Sequence, residues 1–275
     1  MDEPQKTPEP HVWLNGPDWS TIPEIASRDC LYALDVDFDI DAQLMAIQGL
    51  LQRNRQAEEA LSNEIKQSEE HSSRLSGIYC ERVVDEWVDQ IHHSSYQGAA
   101  HSMSAVGMLA PLIETIFYQV FQGIGSRFYP ATHPEDEHER WKAKRATQWD
   151  CHKFVVGDRV QTDLVRGILQ LADAVGLTDR LPADLKSTLS ALFSYRNKMF
   201  HHGFEWPVEE RERFAKHMRD ESWPSDWIIK STTGDKPWIF YLSDKFIEHC
   251  LATVNQVLDA IGSFVRDELF SKREI

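Results

Sequence analysis

The apolar and polar positions between residues 181 and 203 repeat with the period of an α-helix. At about 100° per residue, one face collects apolar side chains. They are Leu185, Leu189, Leu192, Phe193, Met199 and Phe200. Pro182 and Asp184 suit a first turn, and Gly203 followed by Pro207 suits a helix end. The sequence therefore predicts a helix over residues 181–203.

Arg196 lies in the middle of the apolar face of this predicted helix. A guanidinium keeps its proton in proteins, so an arginine turned toward a core needs an anion, backbone carbonyls or a polar groove. Small and polar residues follow the flank beside it: Ser190, Ser194, Asn197 and His201. Asn197 and His201 are four residues apart and therefore share one surface. Together these positions predict a polar groove.

Residues 196–201, RNKMFH, resemble the Arg-x4-His motif of the HEPN superfamily of nucleotide-binding and ribonuclease domains. In that family the motif lies near the end of a late helix, with a polar residue directly after the arginine, and Asn197 fills that position here. The resemblance implies an all-α, HEPN-like bundle with long antiparallel helices. It also implies a metal-independent endoribonuclease, built as a homodimer in which both copies of the motif meet in one cleft. It is best between residues 103 and 204.

RNA carries its own nucleophile, the 2′-hydroxyl, so a protein can cleave it by moving two protons and stabilising the added charge. Arg196 is expected to hold the phosphoryl oxygens and His201 to act as general acid and base. Asn197 is expected to orient the imidazole or the RNA backbone. The neighbours expected to bind substrate are Lys198, Ser194 and His202. His202 is also the rival for the histidine role, and a helix-end His201 that only caps carbonyls is the structural alternative.

A second apolar segment, residues 103–121, predicts a buried central helix that can bend at Pro111. Glu114 is its only charged residue, and a lone carboxylate there is costly unless it is paired or protonated. Arg196 is the expected partner. HEPN-like domains often carry an acidic residue on an earlier core helix facing the motif, so the resemblance places Glu114 in the catalytic group. An ion pair elsewhere and an exposed position are the alternatives.

Three parts are predicted along the chain: an irregular, proline-rich arm over residues 1–38, a long helical segment over 39–95 that protrudes in part, and a HEPN-like helical core over 96–275. Residues 92–95, His-His-Ser-Ser, are predicted to interrupt the helical pattern. Asp158 is predicted to cap a helix with Val160 on its buried side, antiparallel to the motif helix. The only strand signal predicts a β-hairpin at about 226–242, before a final helix capped by Ser243.

The long connection over residues 123–155 holds two further candidates. The first is the cluster His133, Glu135, Asp136 and His138, which lacks the spacing of a zinc or EF-hand site and is interpreted as a solvated loop rather than a metal site. The second is a basic stretch interleaved with Trp141 and Trp149: Arg140, Lys142, Lys144 and Arg145. Such a stretch can grip a single strand through phosphates and base stacking, although a basic surface turn is the simpler interpretation.

Composition narrows the possible functions. The 275 residues include 44 acidic and 29 basic ones, and the net charge of −15 opposes unspecific coating of RNA but allows a nuclease with a small basic cleft. The four cysteines form no CxxC pair, so reduced thiols are expected. There is no basic and apolar leader and no uninterrupted apolar run of about 18 residues, so a cytoplasmic protein without membrane contact is expected. No cofactor is indicated.

Three functions remain open at this point. The first is the endoribonuclease, with RNA as its substrate. The second is a catalytically inactive, dimeric HEPN-like scaffold that binds a nucleotide or a partner, which the acidic composition favours over catalysis. The third is a purely structural helical protein in which Arg196 and Glu114 form a buried ion pair. Many ribonucleases of this type are toxins or defence effectors, so the resemblance also allows an inhibitory partner protein.

Overall fold

Helices make up most of the structure, a computed structural model that describes residues 26–36, 38–72, 78–129, 138–157, 159–234 and 236–270. The fold is 74% helix and 10% strand, so the mainly α prediction is confirmed. The α-helices described are α1 (Ile40–Ser72), α2 (Ile78–Phe128), α3 (Leu164–Val175), α4 (Leu185–His202), α5 (Val208–Asp220) and α6 (Asp244–Phe264). The strands described are β1 (Lys153–Val156), β2 (Arg159–Thr162), β3 (Ile228–Thr233) and β4 (Lys236–Leu242), which form two antiparallel hairpins.

Helix α2 forms the centre of the core, and α1 runs antiparallel to it. Glu58 of α1 lies near Gly98 of α2, whereas the earlier Gln52 lies near the later His101. The middle of α2 is apolar nearly all round, and its side chains are buried against α4 and α6. Its interior residues include Leu109, Ile113, Ile116, Phe117, Val120 and Phe121. The predicted central helix is therefore present, in a longer form than the sequence indicated.

The predicted interruption at residues 92–95 is wrong, because α2 continues through it as one helix of 51 residues. The hydroxyls of Ser94 and Ser95 donate to the Ile91 carbonyl at 3.0 and 3.4 Å. Serine side chains that bond back to the preceding turn are compatible with a continuous helix. The predicted division at residue 95 consequently falls inside α2.

The end of the predicted N-terminal arm is ordered. Ser27–Leu34 form a 3-10 helix whose Cys30, Leu31 and Leu34 are buried. The segment packs closely on α2 and α6 at two glycines. A Cβ on Gly123 of α2 would lie 2.2 Å from the Leu34 carbonyl oxygen, and one on Gly262 of α6 would lie 2.0 Å from the Ser27 carbonyl oxygen, so a larger side chain would clash at either position. Residues 1–25 of the predicted arm lie outside the described residues.

A small hairpin that the sequence did not indicate precedes α3. Strands β1 and β2 pair Val155 with Val160, and Gly157 in the turn has φ +55°. Val160, predicted on the buried side of a helix, lies on β2 and is 46% exposed. The cap of α3 is Asp163, whose side chain accepts from the Arg166 amide, whereas Asp158 lies outside the described residues.

The β3–β4 hairpin, which the sequence predicts, is confirmed, and its hydrogen bonds link it to both α2 and α4. The Leu242 amide of β4 donates to the Ser102 hydroxyl of α2 at 2.7 Å. The Tyr195 hydroxyl of α4 donates to the Phe240 carbonyl at 2.9 Å. Ser243 caps α6 as predicted, by accepting from the Phe246 amide. This hairpin therefore fixes α4 at the residue directly before Arg196.

One segment of α2, Asp85–Phe128, is long and apolar enough to span a bilayer, with a mean hydropathy of 1.4 over 18 residues. However, 56% of that 18-residue window is buried inside the protein. Burial of this extent is typical of the core helix of a soluble protein. The helix is thus weak support for a membrane span.

Candidate functional site

The apolar face predicted for α4 is buried except in its last turn. Leu185, Leu189, Leu192, Phe193 and Met199 belong to the core. Phe200 is 54% exposed, and its ring lies beside Gly107 of α2, where a Cβ would sit 3.6 Å from it. The prediction that Phe200 belongs to the core is therefore wrong. The helix begins at Leu185, four residues after the predicted start, and ends at His202. Gly203, with φ +70°, is its C-cap, so the predicted end is confirmed.

Arg196 lies at the boundary between the buried and exposed parts of α4. Its side chain is partly buried, and its Nη1 donates to the Asn197 side-chain carbonyl at 3.2 Å. The guanidinium carbon lies 5.5 Å from the centre of the Phe200 ring, a cation–π distance. Its Nε is buried and has no hydrogen-bond partner. In the part of the chain that the structure describes, no carboxylate forms an ion pair with Arg196.

The predicted neighbours Asn197 and His201 are both exposed. They lie one helical turn apart on the same surface, as their spacing requires. Among the described residues, no hydrogen bond to the His201 ring is formed, so the alternative in which it caps carbonyls is not observed. The centres of the His201 and His202 rings lie 6.4 Å apart, and His202 is partly buried.

The predicted substrate-binding residues Lys198 and Ser194 face α5. The Lys198 ammonium forms an ion pair with Glu210, and this hydrogen bond lowers the pKa of the Glu210 carboxyl. The Ser194 hydroxyl lies 3.5 Å from a ring nitrogen of His217. The positive charge of Lys198 is thus already neutralised, whereas that of Arg196 is not.

The expected ion pair between Glu114 and Arg196 is not formed. Glu114 accepts from His152 Nε2 at 2.8 Å, and Asp150 accepts at the other ring nitrogen at the same distance. Burial alone would lower the pKa of His152, but its hydrogen bonds to Glu114 and Asp150 outweigh burial and raise it. His152 comes from the connection before β1, and no sequence signal linked it to a glutamate 38 positions earlier.

Within the basic stretch before β1, Lys142, Lys144 and Arg145 are exposed, as a basic surface turn requires, whereas Arg140 differs from both sequence interpretations. Arg140 is fully buried, and its guanidinium donates to four backbone carbonyls and one side chain. The acceptors are Thr147, Gln148, Asp150, Lys153 and Gln170. The Trp141 and Trp149 rings pack on each other at 5.1 Å, and both are partly buried. Arg140 is therefore a structural residue that cannot contact RNA.

Most of the possible metal cluster in the same connection lies outside the described residues. His133, Glu135 and Asp136 are in this group. His138 is described, and its Nδ1 accepts from the Arg140 amide at 3.1 Å while its other ring nitrogen lies 3.2 Å from Asp173. His138 thus caps the turn that carries Arg140.

The C-terminal part of α4 presents a polar surface with one guanidinium available to an anion, one amide and one exposed imidazole. The positions along α4 set their relation: Arg196 and His201 are separated by about 7.5 Å along the axis and about 140° around it. A phosphate held by Arg196 would therefore not face the His201 of the same helix. No protein-family model, curated protein or solved structure matches the chain.

Proposed function

We propose that the chain is a metal-independent endoribonuclease of the HEPN type, acting as a homodimer. The observation that carries the proposal is the state of Arg196, a partly buried cation with an unsatisfied Nε and no ion pair among the described residues. Leaving a guanidinium in this state costs stability, and an incoming phosphate would supply the missing acceptors. Arginine suits this role because its planar fork matches phosphoryl oxygens.

His201 would perform the proton transfers. Its ring is exposed and can reach a substrate, and an imidazole titrates near neutral pH. One proton leaves the 2′-hydroxyl as it attacks the phosphorus, and one is given to the departing 5′-oxygen. The products would be a 2′,3′-cyclic phosphate and a free 5′-hydroxyl. Asn197 would hold the Arg196 guanidinium through the 3.2 Å hydrogen bond.

The angular separation of Arg196 and His201 supports the proposed dimer. Because Arg196 and His201 point about 140° apart on α4, one copy of the motif does not direct both at one phosphate. A second copy across a two-fold axis would complete the site. Phe200 lies between them on the same turn and is 54% exposed, which suits a residue that becomes buried between subunits.

The test is RNA cleavage by the purified full chain in EDTA, with analysis of the product ends. Arg196→Ala and His201→Ala should each lower cleavage at least about 100-fold. Arg166→Ala is a matched control, because Arg166 lies 5.4 Å from the Phe154 ring in a similar cation–π contact away from the motif. His93→Ala, another exposed histidine, controls for His201. Wild-type chain without cleavage, or variants that cleave normally, would reject the proposal.

A second candidate function is the inactive dimeric scaffold that binds a nucleotide or a partner. Two observations favour it: the His201 ring has no hydrogen-bond partner among the described residues to orient it, and Lys198 is neutralised by Glu210. The net charge of −15 acts in the same direction. Nucleotide binding that is lost in Arg196→Ala, without cleavage of any RNA, would establish this function instead. An inhibitory partner and a toxin or defence role rest on the resemblance alone.

A further inference from the structure

Three titratable side chains from three helices converge away from the motif. Glu58 of α1, His101 of α2 and Asp244 at the start of α6 each place one potential ligand atom within 4.8 Å of the other two. His101 is only 5% exposed, and the other two are partly buried. This Glu58–His101–Asp244 cluster joins α1 to the two helices of the core on which it packs.

The hydrogen-bonding groups of His101 are not satisfied by the protein. Its Nδ1 is buried without a partner, and its Nε2 lies 3.8 Å from the nearer Asp244 oxygen. That distance is too long for a hydrogen bond. It does suit two ligands of one metal ion, because zinc lies about 2.0–2.2 Å from both histidine nitrogen and carboxylate oxygen. A buried imidazole aimed into a pair of carboxylates is thus left without a partner.

One of the two carboxylates of the cluster lacks a cationic partner, since Arg55 lies near Asp244 but does not pair with Glu58. Burial, together with the Asp244 charge, raises the pKa of Glu58 to about 7, and no cation among the described residues pairs with it. Burial lowers the pKa of His101, which favours the neutral form of the ring that a metal ligand must have. A divalent cation would remove the repulsion between the two carboxylates and occupy the imidazole.

The nearest cation does not perform this task. Arg55 lies 3.3 Å from Asp244, but it also contacts Glu248 at 2.5 Å and Glu59 at 3.4 Å. The Arg55 guanidinium therefore already contacts three carboxylates, and Glu58 is not among them. A cavity of about 220 Å³ lined by Glu58 and Asp244 opens on one side of the cluster and gives an ion a route of entry.

We propose that Glu58, His101 and Asp244 bind one divalent transition-metal ion, with zinc as the best fit, that clamps α1 to α2 and α6. One imidazole nitrogen and two carboxylate oxygens suit zinc, with water as a fourth ligand. Magnesium and calcium prefer oxygen ligands alone. The clamp would supply long-range attachment for α1, whose exposed second half is polar.

The proposed clamp is separate from the motif surface. His101 and Gly107, which lies beside Phe200, are six residues apart on α2 and therefore about 120° apart around its axis. The clamp therefore does not depend on the proposed nuclease, and its ion would take no part in RNA cleavage.

The experiment measures zinc uptake by the full chain after EDTA treatment and desalting, with bound metal counted by mass spectrometry and the unfolding temperature recorded. We expect one ion per chain and a higher unfolding temperature in zinc. Glu58→Gln should weaken binding more than about tenfold. Because it removes a carboxylate that is repelled in the apo protein, Glu58→Gln should be at least as stable as wild type in EDTA and less stable in zinc. This reversal would not arise from a general loss of packing.

Glu59→Gln is the matched control, since Glu59 is the adjacent exposed residue of α1 and lies outside the cluster. It should bind zinc like the wild type. Asp244→Asn should weaken binding as Glu58→Gln does. Zinc uptake that is absent from the wild type, or unchanged in both Glu58→Gln and Asp244→Asn, would overturn the proposal. RNA cleavage assayed in EDTA at a temperature where every variant is folded tests the nuclease independently.

Discussion

Two arginines of this chain, Arg140 and Arg196, are buried at least in part, and they differ in how many of their hydrogen-bond donors have a partner. Arg140 is fully buried, and its nitrogens are hydrogen-bonded to carbonyls of the turn around it and to Gln170. Arg196 is partly buried, donates to Asn197 and keeps a buried Nε without a partner. Burial by itself thus does not separate a structural arginine from one that is available to a ligand. The number of satisfied donors does.

The satisfaction of Arg140 also has an electrostatic consequence. Burial lowers the pKa of Arg140 to about 10, with opposing contributions from Asp150 and Cys151. At neutral pH the guanidinium remains charged, and it is stabilised by carbonyl dipoles instead of a direct carboxylate contact. A binding arginine needs the reverse arrangement, in which the donors remain open until the anion arrives.

The largest predicted effect concerns Arg140. Arg140→Ala would leave several buried carbonyls unpaired, so we expect the free energy of unfolding to fall by about 3–5 kcal/mol. Urea denaturation followed by tryptophan fluorescence measures this change. Arg140→Lys should recover only part of the loss, because an ammonium has three donors where a guanidinium has five. Wild-type stability in Arg140→Ala would show that water replaces the guanidinium at little cost.

The second prediction takes the other side of the comparison. Arg196→Ala should change the free energy of unfolding by less than about 1 kcal/mol, because it removes one exposed cation–π contact and one hydrogen bond. RNA cleavage should nevertheless fall at least about 100-fold. Arg196→Lys should restore little activity, since a point charge does not reproduce the fork. A stability loss as large as that of Arg140→Ala would make Arg196 a structural residue.

Local signals explain what the sequence predicted correctly. The apolar stripe of α4, its end at Gly203 and the Ser243 cap of α6 are each specified by residues within one or two turns. Hydrophobic runs on both sides of a Gly-Asp sequence predict the β3–β4 hairpin. Position in the sequence is sufficient for these features because the contacts that form them are close along the chain.

The failures come from contacts that the sequence pattern does not contain. The sequence predicts a surface cation at Arg140 because four of the five groups that bind it are backbone carbonyls, which cannot be identified from residue types. Strands β1 and β2 have four residues each, too few for a clear alternation. The sequence pairs Glu114 with Arg196 because Glu114 is the only charge of an apolar segment and Arg196 lies in the middle of an apolar face, whereas its observed partner His152 is brought near by the fold.

The third prediction concerns the support behind Arg196. Tyr195→Phe removes the hydroxyl that donates to the Phe240 carbonyl and leaves that buried acceptor unpaired. We expect a loss of about 1–2 kcal/mol in the free energy of unfolding, measured by urea denaturation. If the β3–β4 hairpin positions α4, RNA cleavage should fall through kcat with the KM nearly unchanged. Equal kcat in the variant would mean that the hairpin only stabilises the fold.

The smallest expected effect tests Glu114, which sequence reasoning placed beside Arg196 and the structure pairs with His152. Glu114→Gln should lower the pKa of His152, which a titration of its ring protons by NMR measures directly. The stabilisation is on the order of 0.5–1 kcal/mol, because the side chains are about one-third exposed. His152 has a raised pKa in the folded protein, so this stabilisation is fully present below the unfolded value of about 6.5 and is lost as the pH rises through the folded value.

The same variant separates the two assignments of Glu114. If Glu114 serves only His152, Glu114→Gln should cleave RNA at the wild-type rate while the pKa of His152 falls. Asp150→Asn is the matched control, since it removes the other carboxylate of the same imidazole and should shift that pKa in the same direction. A cleavage rate reduced more than tenfold in Glu114→Gln, but not in Asp150→Asn, would return Glu114 to the catalytic group. In that case the Arg196 site would include an anion that approaches only when RNA is bound.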